Sequence, residues 1–318
     1  MKALCTTSGV AGLTIQDLPL PEPGPGEVRV RVRASAINPA DEKVLSGGLV
    51  GMILHGAAKP VVVGYDVAGT VDAVGAGCDL AVGDEVFGFL PYGRSTKRGA
   101  YAEATVVPVS ALVRRPPTLS PTDACALATA GVTALQMLRD LGGLKSGQKV
   151  LVIGASGGVG SLAVGIATRL GGEVTAICSA GAMELVRGLG AKHLIDRAKG
   201  DPLSEGGPYD VIVDAASAYS WSATRHRLAP GGTYVATLPG PAVFAGMALA
   251  RLAGQRCAFV SVVPRRADFE LLASWVADGT LRLAIDSTFP VRDVRAAIER
   301  VGRGGMKGRV VIEVEGGF

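Results

Sequence analysis

The sequence predicts an α/β protein built as a small β-barrel joined to a doubly wound parallel sheet, and three observations carry that reading. Val28, Val30 and Val32 alternate with Arg29, Arg31 and Arg33, and short Val-rich runs follow, the pattern of strands in a small barrel. From about residue 120, apolar strands alternate with helical stretches, the rhythm of βαβ winding. Between the first of those strands and its helix stands Gly154-Ala155-Ser156-Gly157-Gly158-Val159-Gly160. The 318 residues supply about two domains' worth of chain.

The elements follow in order. The turn-rich stretch 19–26 leads into a strand over 27–34, with further strands at 61–63, 67–74 and 104–109 between Gly and Pro. Ser120-Pro121-Thr122-Asp123 is a helix start, with Ser as N-cap and Pro at the first helical position, and opens a helix over 124–141. Strands at 149–153, 173–178, 211–214 and 233–237 then alternate with helices at 159–170, 183–189 and 219–228, which implies a parallel sheet. An apolar, β-branched run over 256–263 closes the block. The tail adds helices over 268–278 and 291–301 and a last strand over 309–314, so β-rich segments flank the α/β block on both sides.

Composition narrows the function. Charged residues make up 19% against about 25% in ordinary globular chains, and apolar residues reach 48%, so a sizeable core is available and disorder is excluded. The 45 glycines are twice the usual ~7%, which asks for backbone that turns tightly or approaches a ligand. Net charge is +4, but the denser basic spots (Arg29/Arg31/Arg33, Arg94/Lys97/Arg98, Arg265/Arg266) are scattered, which argues against nucleic acid. No run of about 18 apolar residues occurs, and Met1-Lys2-Ala3-Leu4-Cys5 leads into Thr6-Thr7-Ser8-Gly9 rather than a signal peptide. Cys5, Cys78, Cys125, Cys178 and Cys257 are odd in number and widely spaced, matching neither a zinc site nor a disulfide framework. A soluble, cytoplasmic protein is expected.

The glycine turn is the most informative segment. It follows the apolar strand Val150-Leu151-Val152-Ile153 and opens the next helix, the context a dinucleotide loop requires. Gly157 leaves room for a pyrophosphate and Gly160 lets helix and strand pack closely, while the helix N-terminus supplies N–H donors. Ala155, Ser156, Gly157, Gly158, Val159 and Gly160 are therefore the expected cofactor contacts. Where an NAD-preferring site places an acid at the end of the second strand, the sequence has Cys178-Ser179. An uncharged end tolerates a 2′-phosphate, so NADPH is the expected cofactor, with Ser179 and Arg197 as its readers.

Seven segments, in order, resemble the medium-chain dehydrogenase/reductase superfamily, specifically its zinc-free quinone oxidoreductase branch. They are Ile37-Asn38-Pro39-Ala40-Asp41-Glu42-Lys43; the run 60–71 containing Gly64-Tyr65-Asp66; the run 82–88 containing Gly83-Asp84; Gly99-Ala100-Tyr101-Ala102-Glu103; Ala155-x-x-Gly158-Val159-Gly160; Gly190-Ala191; and Gly308-Arg309-Val310-Val311. The resemblance implies a GroES-like barrel domain from 1–118 and 265–318, a Rossmann NADPH-binding domain over 119–264 between them, and an active site in the cleft.

Zinc-dependent relatives hold their catalytic metal with two Cys and a His. Here those positions carry Asn38, Tyr65 and Thr129, none a normal zinc ligand, so no metal is expected. Without a Lewis acid, hydride transfer to a quinone or other α,β-unsaturated carbonyl is the expected reaction. Asn38 is the first candidate to donate to a substrate carbonyl or to the nicotinamide ribose, Tyr65 to donate a hydrogen bond or proton, and Lys43 to lie near substrate. Thr133 resembles a threonine near the nicotinamide. Asp66 and Asp84 are expected to be structural, and His55, His193 and His226 are given no chemistry. Two alternatives remain open: an enoyl-thioester reductase, with Arg94, Lys97 and Arg98 compatible with a pantetheine arm or carrier, and a non-catalytic NADPH-binding regulatory protein. The run 256–263 reads as a sheet edge, and relatives pair this strand across a two-fold axis, which implies a homodimer with Phe259 near the axis.

Overall fold

The computed structural model describes residues 1–6, 9–46, 60–93 and 99–318. The first part supplies β1 (Lys2–Thr6), β2 (Thr14–Asp17), β3 (Glu27–Ala36), α1 (Pro39–Ser46), β4 (Val61–Val62), β5 (Asp66–Val74), β6 (Glu85–Phe89), β7 (Ala104–Pro108) and β8 (Leu112–Arg114). Val28, Val30 and Val32 of β3 point into a core, as the alternation requires. The opposite face is drier than the alternation suggests. Arg29 is buried because its Nε donates to Asp72 Oδ1 at 2.7 Å and its Nη1 to Glu22 Oε1 at 3.0 Å. Asp84 holds the turn before β6 by accepting from the Ala81 N–H at 2.9 Å.

The middle of the chain begins with α2 (Pro121–Leu135), continued by a π-helical turn at Gln136–Leu141. Ser120 Oγ accepts from the Asp123 N–H at 3.1 Å, the cap the sequence predicts. Every residue from Ala124 to Leu135 is buried, because the helix runs between barrel and parallel sheet and must be apolar all round. Then come β9 (Lys149–Ile153), α3 (Gly158–Arg169), β10 (Glu173–Cys178), α4 (Met183–Gly188), β11 (His193–Asp196), β12 (Tyr209–Asp214), α5 (Trp221–Thr224), β13 (Leu228–Ala236), α6 (Pro241–Leu249) and β14 (Arg256–Phe259). The tail provides α7 (Arg266–Ala277), β15 (Ile285–Pro290), α8 (Val294–Gly302) and β16 (Arg309–Glu313).

Strands β9–β14 form one parallel sheet in the order β11-β10-β9-β12-β13-β14. The order in which strands are added reverses between β9 and β12, the switch point at whose carboxyl ends a crevice is expected. A second sheet, β15-β16-β3-β5-β6-β8 with β7 on β3, mixes strands from both ends of the chain. The tail is therefore part of the barrel.

Two elements depart from the sequence reading. The helix expected over 219–228 is one short α turn followed by a 3₁₀ turn at Arg225–Arg227, because β13 already begins at Leu228. The strand expected over 256–263 stops at Phe259. Val260 N still donates to Ala236 O, but the Val263 N–H and C=O are bonded by the Gln136 side chain, which turns the chain toward α7.

Candidate active site

Five polar groups from four segments meet beneath the glycine turn. Asn38 lies just ahead of α1, Asp66 opens β5, Thr129 sits in α2, and Arg309 opens β16, with Asp41 on α1 behind Asn38. Arg309 Nη2 donates to Asp66 Oδ2 at 2.7 Å and to Asn38 Oδ1 at 3.2 Å. Asn38 Nδ2 donates to the same Asp66 oxygen at 2.8 Å and to Ala36 O at 3.3 Å. The other Asp66 oxygen accepts from the Thr129 N–H at 2.7 Å. Burial pushes the Asp66 carboxyl up, while the Arg309 guanidinium, Thr129 and Asn38 hold it back. A guanidinium stays charged in proteins, and at 2.7 Å it favours the ionised form of Asp66.

The glycine turn completes the arrangement. Ala155 N donates to Ile177 O, Gly157 N to Gly154 O, and Gly308 N to Ser156 O at 2.8 Å, which fixes the turn to the start of β16. A Cβ on Gly160 would overlap the Gly154 carbonyl, and one on Gly158 would lie 2.9 Å from Arg309 Cδ. Helix, strand and Arg309 thus share space that only glycines leave free. A Cβ on Gly157 would meet nothing closer than Gly154 O at 3.4 Å, so this position opens outward. Gly157 is also the N-cap of α3, whose free N–H groups and dipole favour an anion there.

One buried polar atom is clearly left over in the site: Arg309 Nε has no hydrogen-bond partner, whereas the buried Thr129 side chain is turned to the Asp66 carboxylate and helps to hold it down. Buried groups of this kind carry a desolvation cost unless a ligand meets them. The open Gly157, the helix N-terminus and the orphaned Arg309 Nε fit a dinucleotide diphosphate. Ser179 follows β10 and the exposed Arg197 follows β11; Arg197 N donates to Cys178 O at 2.9 Å, which sets the two residues side by side.

The sequence-derived residues sort as follows. Asn38 is buried with both amide hydrogens already committed to protein acceptors. Tyr65 is fully buried, its ring 4.3 Å from that of Tyr92, and burial together with Asp41 pushes its phenol up, so it remains a protonated donor. Thr133 is buried one turn beyond Thr129 and donates to Thr129 O at 2.7 Å. Lys43 is half-buried on α1. His55, Arg94, Lys97 and Arg98 lie outside the described residues. Asp66, expected only to brace a turn, is the hub of the site. Arg309 was legible only as part of a motif; an arginine entering an apolar terminal strand was the signal. Among the described residues, no cluster of three His, Cys, Asp or Glu side chains has metal-binding proximity.

With this geometry, the comparisons with known proteins are consistent. Residues 24–117 match the family described as alcohol dehydrogenase GroES-like domain, and residues 189–312 the one described as zinc-binding dehydrogenase. A chloroplastic quinone-oxidoreductase homolog from Spinacia oleracea is 32% identical over 88% of this chain and 87% of its own. A trans-enoyl reductase from Aspergillus terreus is 31% identical over 89% and 85%. The quinone oxidoreductase from Coxiella burnetii superposes with a TM-score of 0.91 at 27% identity, covering 99% of both chains. The chain belongs to the medium-chain dehydrogenase/reductase superfamily, in its quinone oxidoreductase branch. It is an oxidoreductase with a GroES-like domain and a Rossmann-type sheet, of a family that binds a nicotinamide cofactor.

Proposed function

We propose that this oxidoreductase is a zinc-independent, NADPH-dependent reductase of quinones or other α,β-unsaturated carbonyls. The observation that carries the reading is the Asn38–Asp66–Arg309 network. The side chains at the three positions where zinc-dependent relatives hold metal are an amide, a phenol and an alcohol, and the amide is tied into a buried ion pair. These groups orient and donate; they do not ligate zinc.

Reduced nicotinamide, when bound, supplies the hydride. Ala155 to Gly160 and Arg309 would hold its diphosphate, Thr133 would lie near the nicotinamide, and Ser179 with Arg197 would read the 2′-phosphate. The chain's own task is then to hold the acceptor in a dry cleft and to donate toward the oxygen that gains charge. The buried Thr129 hydroxyl and the protonated Tyr65 phenol are the groups assigned to do so, with Lys43 of α1 near the substrate. The proton that completes reduction comes from water. A homodimer formed through the β14 edge belongs to the same reading.

The likeness to a trans-enoyl reductase favours a second acceptor class, enoyl thioesters. The test is NADPH oxidation against quinones, alkenals and enoyl thioesters, with and without a chelator. Acceptor-dependent oxidation that survives chelation is expected. Turnover confined to simple alcohols or aldehydes, and lost on chelation, would overturn the proposal; tight NADPH binding with no acceptor at all would point to a regulatory role.

A further inference from the structure

Asp41 is fully buried, and its carboxylate accepts from three segments that frame the site. Oδ2 takes the Asn38 N–H at 2.7 Å and the Tyr101 hydroxyl at 3.0 Å, and Oδ1 takes the Gly64 N–H at 3.2 Å. Asn38 carries the carboxamide that bonds Asp66 and Arg309, and Gly64 immediately precedes Tyr65. One side chain therefore fixes the backbone of Asn38 and of Gly64, the residue before Tyr65. As the bonds stand, all three neighbours donate to the carboxylate. A proton on it weakens both oxygens as acceptors for the Asn38 and Gly64 N–H groups, and only the Tyr101 hydroxyl oxygen can receive it, by turning its own hydrogen to Ala36 O at 3.4 Å, so the common anchor is weakened.

We propose that Asp41 is a positioning residue whose ionised carboxylate locks Asn38, Gly64-Tyr65 and Tyr101 in register, so that turnover falls when Asp41 is protonated. The inference rests on the reductase reading for its activity assay only. Burial pushes the carboxyl up to about 7; the Asn38 N–H, Tyr101 and the Gly64 N–H pull it down, and Asp66 on β5 pushes it up. The other ionisable groups around it are the phenols of Tyr65, Tyr92 and Tyr101, all pushed upward by burial and hence neutral, and Arg309, paired with Asp66. Above about pH 7 the anchor is charged and the site assembled; below it the carboxyl is neutral and its hold on the three segments weakens.

The experiment is the pH profile of kcat for NADPH oxidation between pH 6 and 9, with a quinone acceptor. The unsubstituted protein should lose activity toward pH 6 with a midpoint near 7. Asp41→Asn should be at least about tenfold slower at pH 8.5 and lack that acid limb. Tyr101→Phe, which removes one donor from the charged form, should move the midpoint upward by about one pH unit. An acid limb unchanged in both variants would overturn the proposal. Hydrogen exchange of 36–46, 60–66 and 99–103, corrected for intrinsic rates, separates the two readings. Protection that falls below pH 7 in the unsubstituted protein and is pH-independent in Asp41→Asn supports the anchor even if no acceptor is turned over. Protection with the same pH dependence in both overturns it, whatever the activity.

Discussion

Arg309 Nη2 lies 2.7 Å from Asp66 Oδ2, an ion pair whose side chains are 4% and 0% exposed, between the last strand of the chain and the first residue of β5. The same arginine packs its Cδ against the space above Gly158. Barrel closure, site geometry and the glycine turn thus share one side chain. This explains why the tail returns to the barrel after the Rossmann sheet: β16 must deliver a cation between two segments that are distant in sequence.

Removing that cation leaves Asp66 buried and unpaired. Arg309→Met should lose about 3–5 kcal/mol of unfolding free energy at pH 8, measured by urea denaturation. Asp66, already pushed up by burial, would then rise further. Its folded form would bind a proton that its unfolded form does not, so the deficit should shrink as pH falls toward 5. NADPH affinity should drop at least about tenfold through the lost Nε donor. A variant within 1 kcal/mol of the parent at pH 8, by the same measurement, would mean that the pair contributes no net stability.

The glycines of the turn separate folding from binding. Gly160→Ala drives a Cβ into the Gly154 carbonyl and the Ala155 backbone, which cannot yield without moving the β9–α3 turn. It should cost about 1–3 kcal/mol and weaken NADPH binding together. Gly157 has a negative φ and open space before it, so Gly157→Ala should keep its Tm within a few degrees while NADPH affinity still falls. Calorimetric unfolding and fluorescence titration on both variants check the contrast; equal Tm losses would deny it.

How much of this was legible in the sequence follows from the kind of interaction involved. Period-2 alternation in β3, the Ser120 cap and the glycine turn are local, and each was found where the structure places it. Short strands such as Lys2–Thr6 and Ile285–Pro290 carry no clear alternation, because four successive residues of the first are buried on both faces and none of the second is fully buried. The site was half legible. Asn38, Tyr65 and Thr133 stand out by residue type, but a carboxylate in a β-rich segment and an arginine 243 residues away give no sign that they pair until the chain is folded. Asp41 was hidden for the same reason: its partners lie at Gly64 and Tyr101 as well as at Asn38.

The proposed preference for NADPH is argued from the ends of β10 and β11. No acid stands at Ser179 to bond a ribose 2′-hydroxyl, and Arg197 is placed beside it by the Arg197 N to Cys178 O bond. NADPH should bind more tightly than NADH. Arg197→Ala should cost about 1.5–3 kcal/mol of NADPH affinity and little for NADH. Ser179→Asp should repel the 2′-phosphate and narrow or reverse the preference. Isothermal titration with both cofactors decides it, and equal dissociation constants in the unsubstituted protein would remove the argument.

The proposed homodimer would use the opposite edge of the same sheet. β14 pairs with β13 on one side and, among the described residues, with no strand on the other. Its four residues are shorter than the apolar run suggested, yet the surface beside them is apolar. Phe244 of α6 stacks edge-on with Phe259 at 5.7 Å and remains half exposed, as do Met247 and Leu249, while Leu252 is 87% exposed. An open edge bordered by such side chains is a liability in a monomer and a ready interface for a second copy. Antiparallel pairing of β14 across a two-fold axis would extend the sheet to twelve strands, twice the six in one chain, with the α6 surfaces meeting beside it. Light scattering at micromolar concentration should therefore give twice the 32.3 kDa chain mass. Leu252→Glu with Phe244→Glu places repelling charges on this surface and should shift the protein to monomer without lowering the stability of its barrel. A concentration-independent monomer mass for the unsubstituted protein, or a dimer untouched by both charges, would place the contact elsewhere or nowhere.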